Sequence, residues 1–305
     1  MSELEHPEQL PVTRDHSRQW RKCLYVYPVI SRRSKGLSIG VNLNPDKQCN
    51  FSCIYCQINR RIRRDLTDVD MPTLEKELRY ALLEATAGGL WAEPRFADTP
   101  ERLRRINDIA FSGDGEPTCL ANFDEAVKTA AAVKMEFGRD DIKIVVITNA
   151  SRFDRPQFKR ALPVLDANNG EIWAKLDAGT EEFFLRVNRP YPVVTLRHVL
   201  ENIRSVARGR PVVIQSLFCR VDGIAPPERE IDAYIANLRE IIAAGGKIKL
   251  IQVHTIARAP ASPSAGALPD EQLDAIAGKV RAAMRTVPVE AYYGADVDPQ
   301  EPPGR

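Results

Sequence analysis

The sequence predicts an α/β protein with a parallel sheet, and three observations carry that prediction. Strand-like segments recur roughly every thirty to forty residues, which leaves room for a crossover helix and hence for right-handed βαβ units. Ile142–Ile147 is apolar at every position but Lys143, as a strand buried on both faces requires. The segments between strands carry apolar residues at helical spacing; Leu196, Val199, Leu200, Ile203 and Val206 make one such stripe. Six parallel strands are expected. An incomplete, TIM-like (β/α)6 barrel is therefore the first architecture, and a flavodoxin-like open sheet the second.

Taken in order, residues 1–20 show little apolar periodicity and are expected to form a flexible arm, with order beginning near Trp20, Tyr25 and Tyr27. Residues 37–43 alternate as the first strand, and Pro45 ends it and leads into a cysteine-rich loop. A helix is expected over 73–87, stopped by Gly88-Gly89. Residues 91–105 read as a surface connection. Further strands fall at 106–112, 142–147, 171–177, 212–219 and 247–255. Helices fall at 123–137, between 149 and 171, at 180–187 and 196–207, and along 231–242 and 273–284; Val289–Tyr293 adds a short strand. The expected organisation is an arm over 1–20, one barrel domain over 21–294, and a disordered, proline-rich tail over 295–305.

Apolar residues are 44% of the chain, enough for a large core, and no run of eighteen apolar residues marks a membrane-spanning helix. The N-terminus lacks the basic-then-apolar order of a signal peptide. Six cysteines, three of them clustered, suit a reducing compartment better than a disulfide scaffold, so a cytoplasmic location is expected. The formal charge is only +2, so contact with nucleic acid has to come from local patches.

The chemistry concentrates in Cys49-Asn50-Phe51-Ser52-Cys53-Ile54-Tyr55-Cys56. Three thiols on one tight loop suit an iron–sulfur cluster, whose irons take thiolate ligands. A cubane has four irons, so three protein ligands leave one iron open, an arrangement suited to catalysis rather than to electron storage. The alternative is a structural zinc loop or three buried thiols. Zinc sites bring a fourth ligand at short range, and no other Cys or His lies within about twenty residues of this loop.

Ligands of parallel α/β folds gather at the C-terminal strand ends. There the turn Gly113-Asp114-Gly115-Glu116 offers two glycines and a close approach of backbone to a small molecule. Lys175 and Asp177 share one face of their strand by alternation, and a lysine in an apolar core needs a partner, either a ligand or that aspartate. Gln215, Gln252 and Asn149 are further polar residues at strand ends or within strands, and with His254 they are expected to line a polar cavity; His254 reads as a structural histidine. Cys23, Cys119 and Cys219 are scattered and read as separate thiols, Cys119 near the cavity rim. Arg60, Arg61, Arg63 and Arg64 follow the cysteine loop, and Arg32, Arg33 and Lys35 precede it. They form either a phosphate-binding rim or a solvated face.

The C-x3-C-x2-C spacing, with Tyr55 before the last cysteine, resembles the signature of radical S-adenosylmethionine (SAM) enzymes. Together with Phe111-Ser112-Gly113-Asp114-Gly115-Glu116-Pro117-Thr118 and Lys175-Leu176-Asp177-Ala178, it looks like the branch related to wyosine-forming tRNA enzymes. The resemblance implies a [4Fe-4S] cluster on Cys49, Cys53 and Cys56, whose open iron chelates SAM. It implies reductive cleavage of SAM to methionine and a 5′-deoxyadenosyl radical that abstracts hydrogen from substrate. Tyr55 would lie against the adenine by its backbone, and Gly113, Asp114, Gly115 and Glu116 would hold the methionine end. Lys175 is the candidate catalytic residue and a partner for the SAM carboxylate, Asp177 a partner for the ribose, and Asn149, Gln215 and Gln252 complete the cofactor-binding candidates. Implied partners are a reductant such as flavodoxin or ferredoxin, and tRNA through Arg60, Arg61, Arg63 and Arg64.

The true wyosine enzymes also carry upstream cysteines for a second cluster and a lysine for pyruvate. Here only Cys23 precedes Cys49, so the resemblance does not extend to imidazoline formation. Two classes stay open: a radical SAM enzyme acting on RNA, a small molecule or a peptide, and a non-catalytic iron–sulfur or zinc protein on the same scaffold.

Overall fold

The computed structural model describes residues 17–60 and 68–294. Most of the expected N-terminal arm, the expected tail, and Arg61, Arg63 and Arg64 lie outside the described residues. The chain divides into two compact units interleaved in sequence, one of 1–48, 62–147 and 155–171, the other of 49–61, 148–154 and 172–305.

In the first unit, strands β1 (Val26–Ser31), β2 (Gly36–Val41), β3 (Ile106–Phe111) and β4 (Lys143–Thr148) lie side by side in that order. The pairs β2–β3 and β3–β4 are parallel, as the strand spacing predicts, and β1 joins β2 antiparallel. Strand β1 is not expected from the sequence, because Pro28 interrupts its alternation. The structure places it at the sheet edge, where a missing N–H is tolerated.

Helices α1 (Met71–Ala87), α2 (Phe123–Glu136) and α3 (Pro156–Ala167) belong to the same unit. The Asp70 side chain caps α1 by accepting from Thr73 N–H, Pro72 sits in its first turn, and Gly88 closes it at φ 89°. The face of α1 carrying Leu74, Leu78, Ala81, Leu82 and Ala85 is buried, as the sequence predicts.

Glu77 on that same face is also buried, for a different reason. Its carboxylate accepts the backbone N–H groups of Leu24 (2.7 Å), Tyr25 (2.8 Å) and Val26 (3.1 Å), tying the start of β1 to α1. Glu77→Ala leaves three N–H groups without their acceptor, so a loss of about 2–4 kcal/mol is expected. Urea unfolding reads this as a lower midpoint at an unchanged slope. A loss under about 1 kcal/mol would show that water replaces the carboxylate.

In the second unit the strands are β5 (Gly170–Lys175), β6 (Val212–Leu217), β8 (Ile248–His254) and β10 (Val289–Tyr292), adjacent in that order and parallel throughout. A separate ribbon pairs β7 (Arg220–Val221) with β9 (Ala265–Gly266). Two residues per strand are too few to show alternation in a sequence. Helices α4 (Glu181–Val187), α5 (Leu196–Gly209), α6 (Glu228–Ala243) and α7 (Asp270–Ala283) fall where apolar periodicity places them, and the α5 stripe is buried.

Register aligns Lys175 with Gln215, Gln215 with Gln252, and Gln252 with Glu290. One polar row thus crosses β5, β6, β8 and β10, pointing to one face. Among the described residues no helix is long and apolar enough to cross a membrane.

Candidate functional site

The cysteine loop lies in the second unit and is held there by backbone, apolar packing and polar side chains. Ser52 N–H donates to Arg189 O (3.0 Å), Ile54 N–H to Val187 O (2.9 Å), and Tyr191 N–H to Asn50 O (2.7 Å). The loop is therefore laced to the chain leaving α4 as an irregular strand pair. Ile54 is buried in a cluster with Val187, Leu217, Cys219, Val221, Ile256 and Ala265, contributing about 1.5–3 kcal/mol. Phe51 meets Phe184 of α4 edge to face at 5.7 Å. On the other side Asn50 Nδ2 donates to Ser151 Oγ (2.8 Å), and Asn149 Nδ2 donates to Asn50 Oδ1 (2.9 Å).

Each of the three sulfurs accepts at least one hydrogen bond among the described residues. Phe51 N–H reaches Cys49 Sγ at 3.4 Å, Asn188 Nδ2 reaches Cys53 Sγ at 3.6 Å, and Arg60 Nη2 reaches Cys56 Sγ at 3.5 Å. Burial pushes the Cys53 thiol up to about 12, with Asp177, Cys49 and Cys56 adding to the shift and the Tyr55 hydroxyl opposing it. A cation at the sulfurs reverses that preference and stabilises the thiolates.

Among the described residues no three Cys, His, Asp or Glu side chains converge tightly enough for a single metal ion. A cubane makes a different demand, because each of its irons takes its own thiolate. Donors on all three sulfurs and thiols spread round one loop therefore fit a [4Fe-4S] cluster better than a lone zinc.

Asp177, just beyond β5, is the centre of the polar network beneath the loop. Its Oδ2 accepts the Tyr55 hydroxyl (2.5 Å) and Asn188 Nδ2 (2.9 Å). Its Oδ1 accepts Leu217 N–H (2.9 Å) and Lys175 Nζ (3.3 Å). Lys175 Nζ also stands 5.0 Å from the centre of the Tyr55 ring. Tyr55, Lys175 and Asp177 thus lie together, and the aspartate is occupied by four donors of the protein itself. Burial drives the Tyr55 hydroxyl well above its ordinary range, which keeps it a donor to Asp177.

Asn149 is likewise engaged, accepting from the Ser151 hydroxyl (2.6 Å) as well as holding Asn50, so it shapes the loop. Gln215 Nε2 donates to Gln252 Oε1 (3.0 Å), and both are buried. These two candidates satisfy one another within the polar row. His254 closes β8 half-buried.

The glycine turn belongs to the first unit. Asn42 grips Asp114 twice, its Oδ1 accepting Asp114 N–H (3.1 Å) and its Nδ2 donating to Asp114 Oδ2 (2.9 Å). Arg18 adds an ion pair to the same carboxylate. Glu116 is buried and accepts the Thr118 N–H (3.1 Å) and hydroxyl (2.5 Å). A Cβ at Gly115 would collide with the Gln48 carbonyl and the Asn44 side chain, so close backbone packing alone requires glycine there. Asn42 and Arg18 at the glycine turn, and Asn50, Ser151 and Asn188 at the cysteine loop, are candidate residues that sequence reasoning misses. Only Asn188 carries a local signal, as a polar residue ending a helix two positions before a proline.

The sequence profile of the radical SAM superfamily matches residues 43–218, more than half of the chain. The chain belongs to the radical SAM superfamily. An UPF0026 protein of Helicobacter pylori (strain 26695) is 26% identical over 81% of this chain and 70% of its own length. The UPF0026 protein of Methanocaldococcus jannaschii is 30% identical over 58% of this chain, and the match spans 47% of that relative.

Among solved structures, a radical SAM methyltransferase from Sphaerobacter thermophilus superposes over 88% of this chain and 69% of its own, with TM-score 0.59 and 16% identity. A TYW1 structure with a lysine–pyruvate adduct bound covers 82% of this chain and 74% of its own, at 0.51 and 16%. Streptococcus suis SuiB bound to S-adenosylmethionine covers 86% and 49%, at 0.52 and 12%. At such identities the likeness carries the fold alone, and that fold is the partial α/β barrel of parallel strands expected from the sequence.

Proposed function

We propose that this radical SAM protein holds a [4Fe-4S] cluster on Cys49, Cys53 and Cys56 and uses it to cleave SAM. The observation that carries the reading is the donor on each of the three loop sulfurs, on a loop anchored by Ile54, Asn50 and the segment 187–191. When bound, the cluster supplies the electron that splits SAM into methionine and a 5′-deoxyadenosyl radical, which removes hydrogen from the substrate. The chain's own residues position and exclude. The glycine turn, fixed by Asn42, presents backbone groups to the methionine end of SAM, as the resemblance implies. Lys175, beside Asp177 and Tyr55, is the cation available to a carboxylate. A low-potential carrier such as flavodoxin or ferredoxin is the expected electron source.

Anaerobic reconstitution followed by dithionite and SAM tests this reading. Release of 5′-deoxyadenosine is expected. A chain that binds iron yet yields none would be an iron–sulfur protein without the cleavage activity.

For the substrate we infer RNA of the tRNA class, on the strength of the arginine run after the loop and the wyosine-branch resemblance. Arg60 is turned to Cys56, so phosphate contacts fall to Arg61, Arg63 and Arg64. Replacing those three by alanine is expected to weaken tRNA binding tenfold or more and to flatten its salt slope by about two to three, while uncoupled SAM cleavage persists. Binding that ignores both salt and these substitutions points to a small molecule or peptide instead.

A further inference from the structure

Asn188 is a residue that neither the motif nor the resemblance assigns. It follows α4, is 3% exposed, and is fixed in backbone by its N–H bond to Phe184 O (2.8 Å). Its Nδ2 lies within reach of three acceptors: Asp177 Oδ2 (2.9 Å), Tyr55 Oη (3.2 Å) and Cys53 Sγ (3.6 Å).

The other end of the amide tells why it is turned this way. Asn188 Oδ1 is buried without a hydrogen-bond partner among the described residues. An orphaned buried carbonyl is unfavourable, because it gives up its bonds to water without replacement. Rotating the amide would place that oxygen against a carboxylate and a sulfur, both electron-rich, which is worse. The amide is thus oriented by its acceptors, and Asp177 and Cys53 are the two that carry negative charge in a loaded site. Asn188 also lines a cavity with room for a single water (about 10 Å³), beside Asn149, Lys175 and Asp177.

We propose that Asn188 is a positioning residue that sets the reduction potential of the iron–sulfur cluster through its N–H bond to Cys53 Sγ, with Arg60 acting in the same sense at Cys56. The inference rests on the cluster reading above. A donor on a ligating sulfur stabilises negative charge there. Reduction adds one electron, so the donor favours the reduced form more than the oxidised one, and its removal makes reduction harder. Asp177 holds the amide in place, and Tyr55 holds Asp177, so the donor direction is preset before any metal arrives.

The test is a dithionite-poised potential titration of anaerobically reconstituted full-length protein, followed by electron paramagnetic resonance. Asn188→Leu keeps size and removes the donor. At fixed iron content it is expected to cut the reduced-to-oxidised ratio about three- to tenfold at a given poise, about 30–60 mV for a one-electron couple. Arg60→Met is expected to shift the potential in the same direction. In the wild type, asparagine labelled with 15N only at the side-chain nitrogen should give a weak 15N coupling to the reduced cluster, and this reading stands even where Asn188→Leu fails to load iron. Potentials unchanged in both variants, or no 15N coupling, overturn the inference alone. A wild-type chain that takes up no iron overturns the cluster reading and this inference with it.

Discussion

Serine at Cys49, Cys53 or Cys56 is expected to abolish the brown absorbance of the reconstituted protein and, with it, all release of 5′-deoxyadenosine. The wild type should carry about four irons per chain. Each substitution replaces a soft thiolate by a hydroxyl that stays protonated and binds iron poorly. The serine oxygen can still accept from the donor that each sulfur has, Phe51 N–H, Asn188 or Arg60, so the lesion falls on iron binding rather than on the loop.

The same substitution at Cys23, Cys119 or Cys219 should leave the iron content intact. Cys119 is exposed, and Cys23 is half-buried in the first unit. Cys219 is the stringent control. It is buried in the apolar cluster under the loop, with burial pushing its thiol up to about 12, so it stays a neutral packing residue. Iron falling by half in Cys219→Ser would assign that thiol to a metal instead. Iron content and absorbance, measured side by side on all six variants, decide between these outcomes.

The sequence made the scaffold legible where a period was long enough to read. The α5 stripe and the run Ile142–Ile147 set element type without ambiguity, and the spacing between strands dictated parallel pairing. Strand β1 escaped because an edge strand tolerates a proline that argues against a central one. The β7–β9 ribbon escaped because two residues carry no period. At the site, residue types were legible and their partners were not. Lys175 and Asp177 are neighbours by alternation, which a sequence shows. That Leu217 N–H, Tyr55 and Asn188 complete the aspartate's shell depends on chain segments far apart in sequence. The same holds for Arg60. A run of arginines reads as one surface, yet its first member is turned to a loop sulfur.

Asp177→Ala is expected to cost more stability than any other single change beneath the loop, about 3–5 kcal/mol, the range for removing one partner from a buried charged network. Asp177 is 3% exposed, and loss of its carboxylate strands the buried Leu217 N–H, one buried Asn188 hydrogen and the half-buried Tyr55 hydroxyl. Lys175, with its side chain 19% exposed, also loses its ion pair and swings toward solvent. The consequence reaches the cysteines, because Tyr55 lies between Cys53 and Cys56 and Asn188 holds Cys53. Iron uptake should therefore fall together with the unfolding midpoint. Asp177→Asn is the discriminating variant. It retains an acceptor for Leu217 N–H but cannot take every donor, so about half the loss is expected. If Asp177 served mainly as a ribose ligand, both variants would weaken SAM binding at unchanged stability and unchanged iron. Denaturant unfolding of the apoprotein separates the two roles without any cofactor, since the four donors are part of the chain and SAM is not.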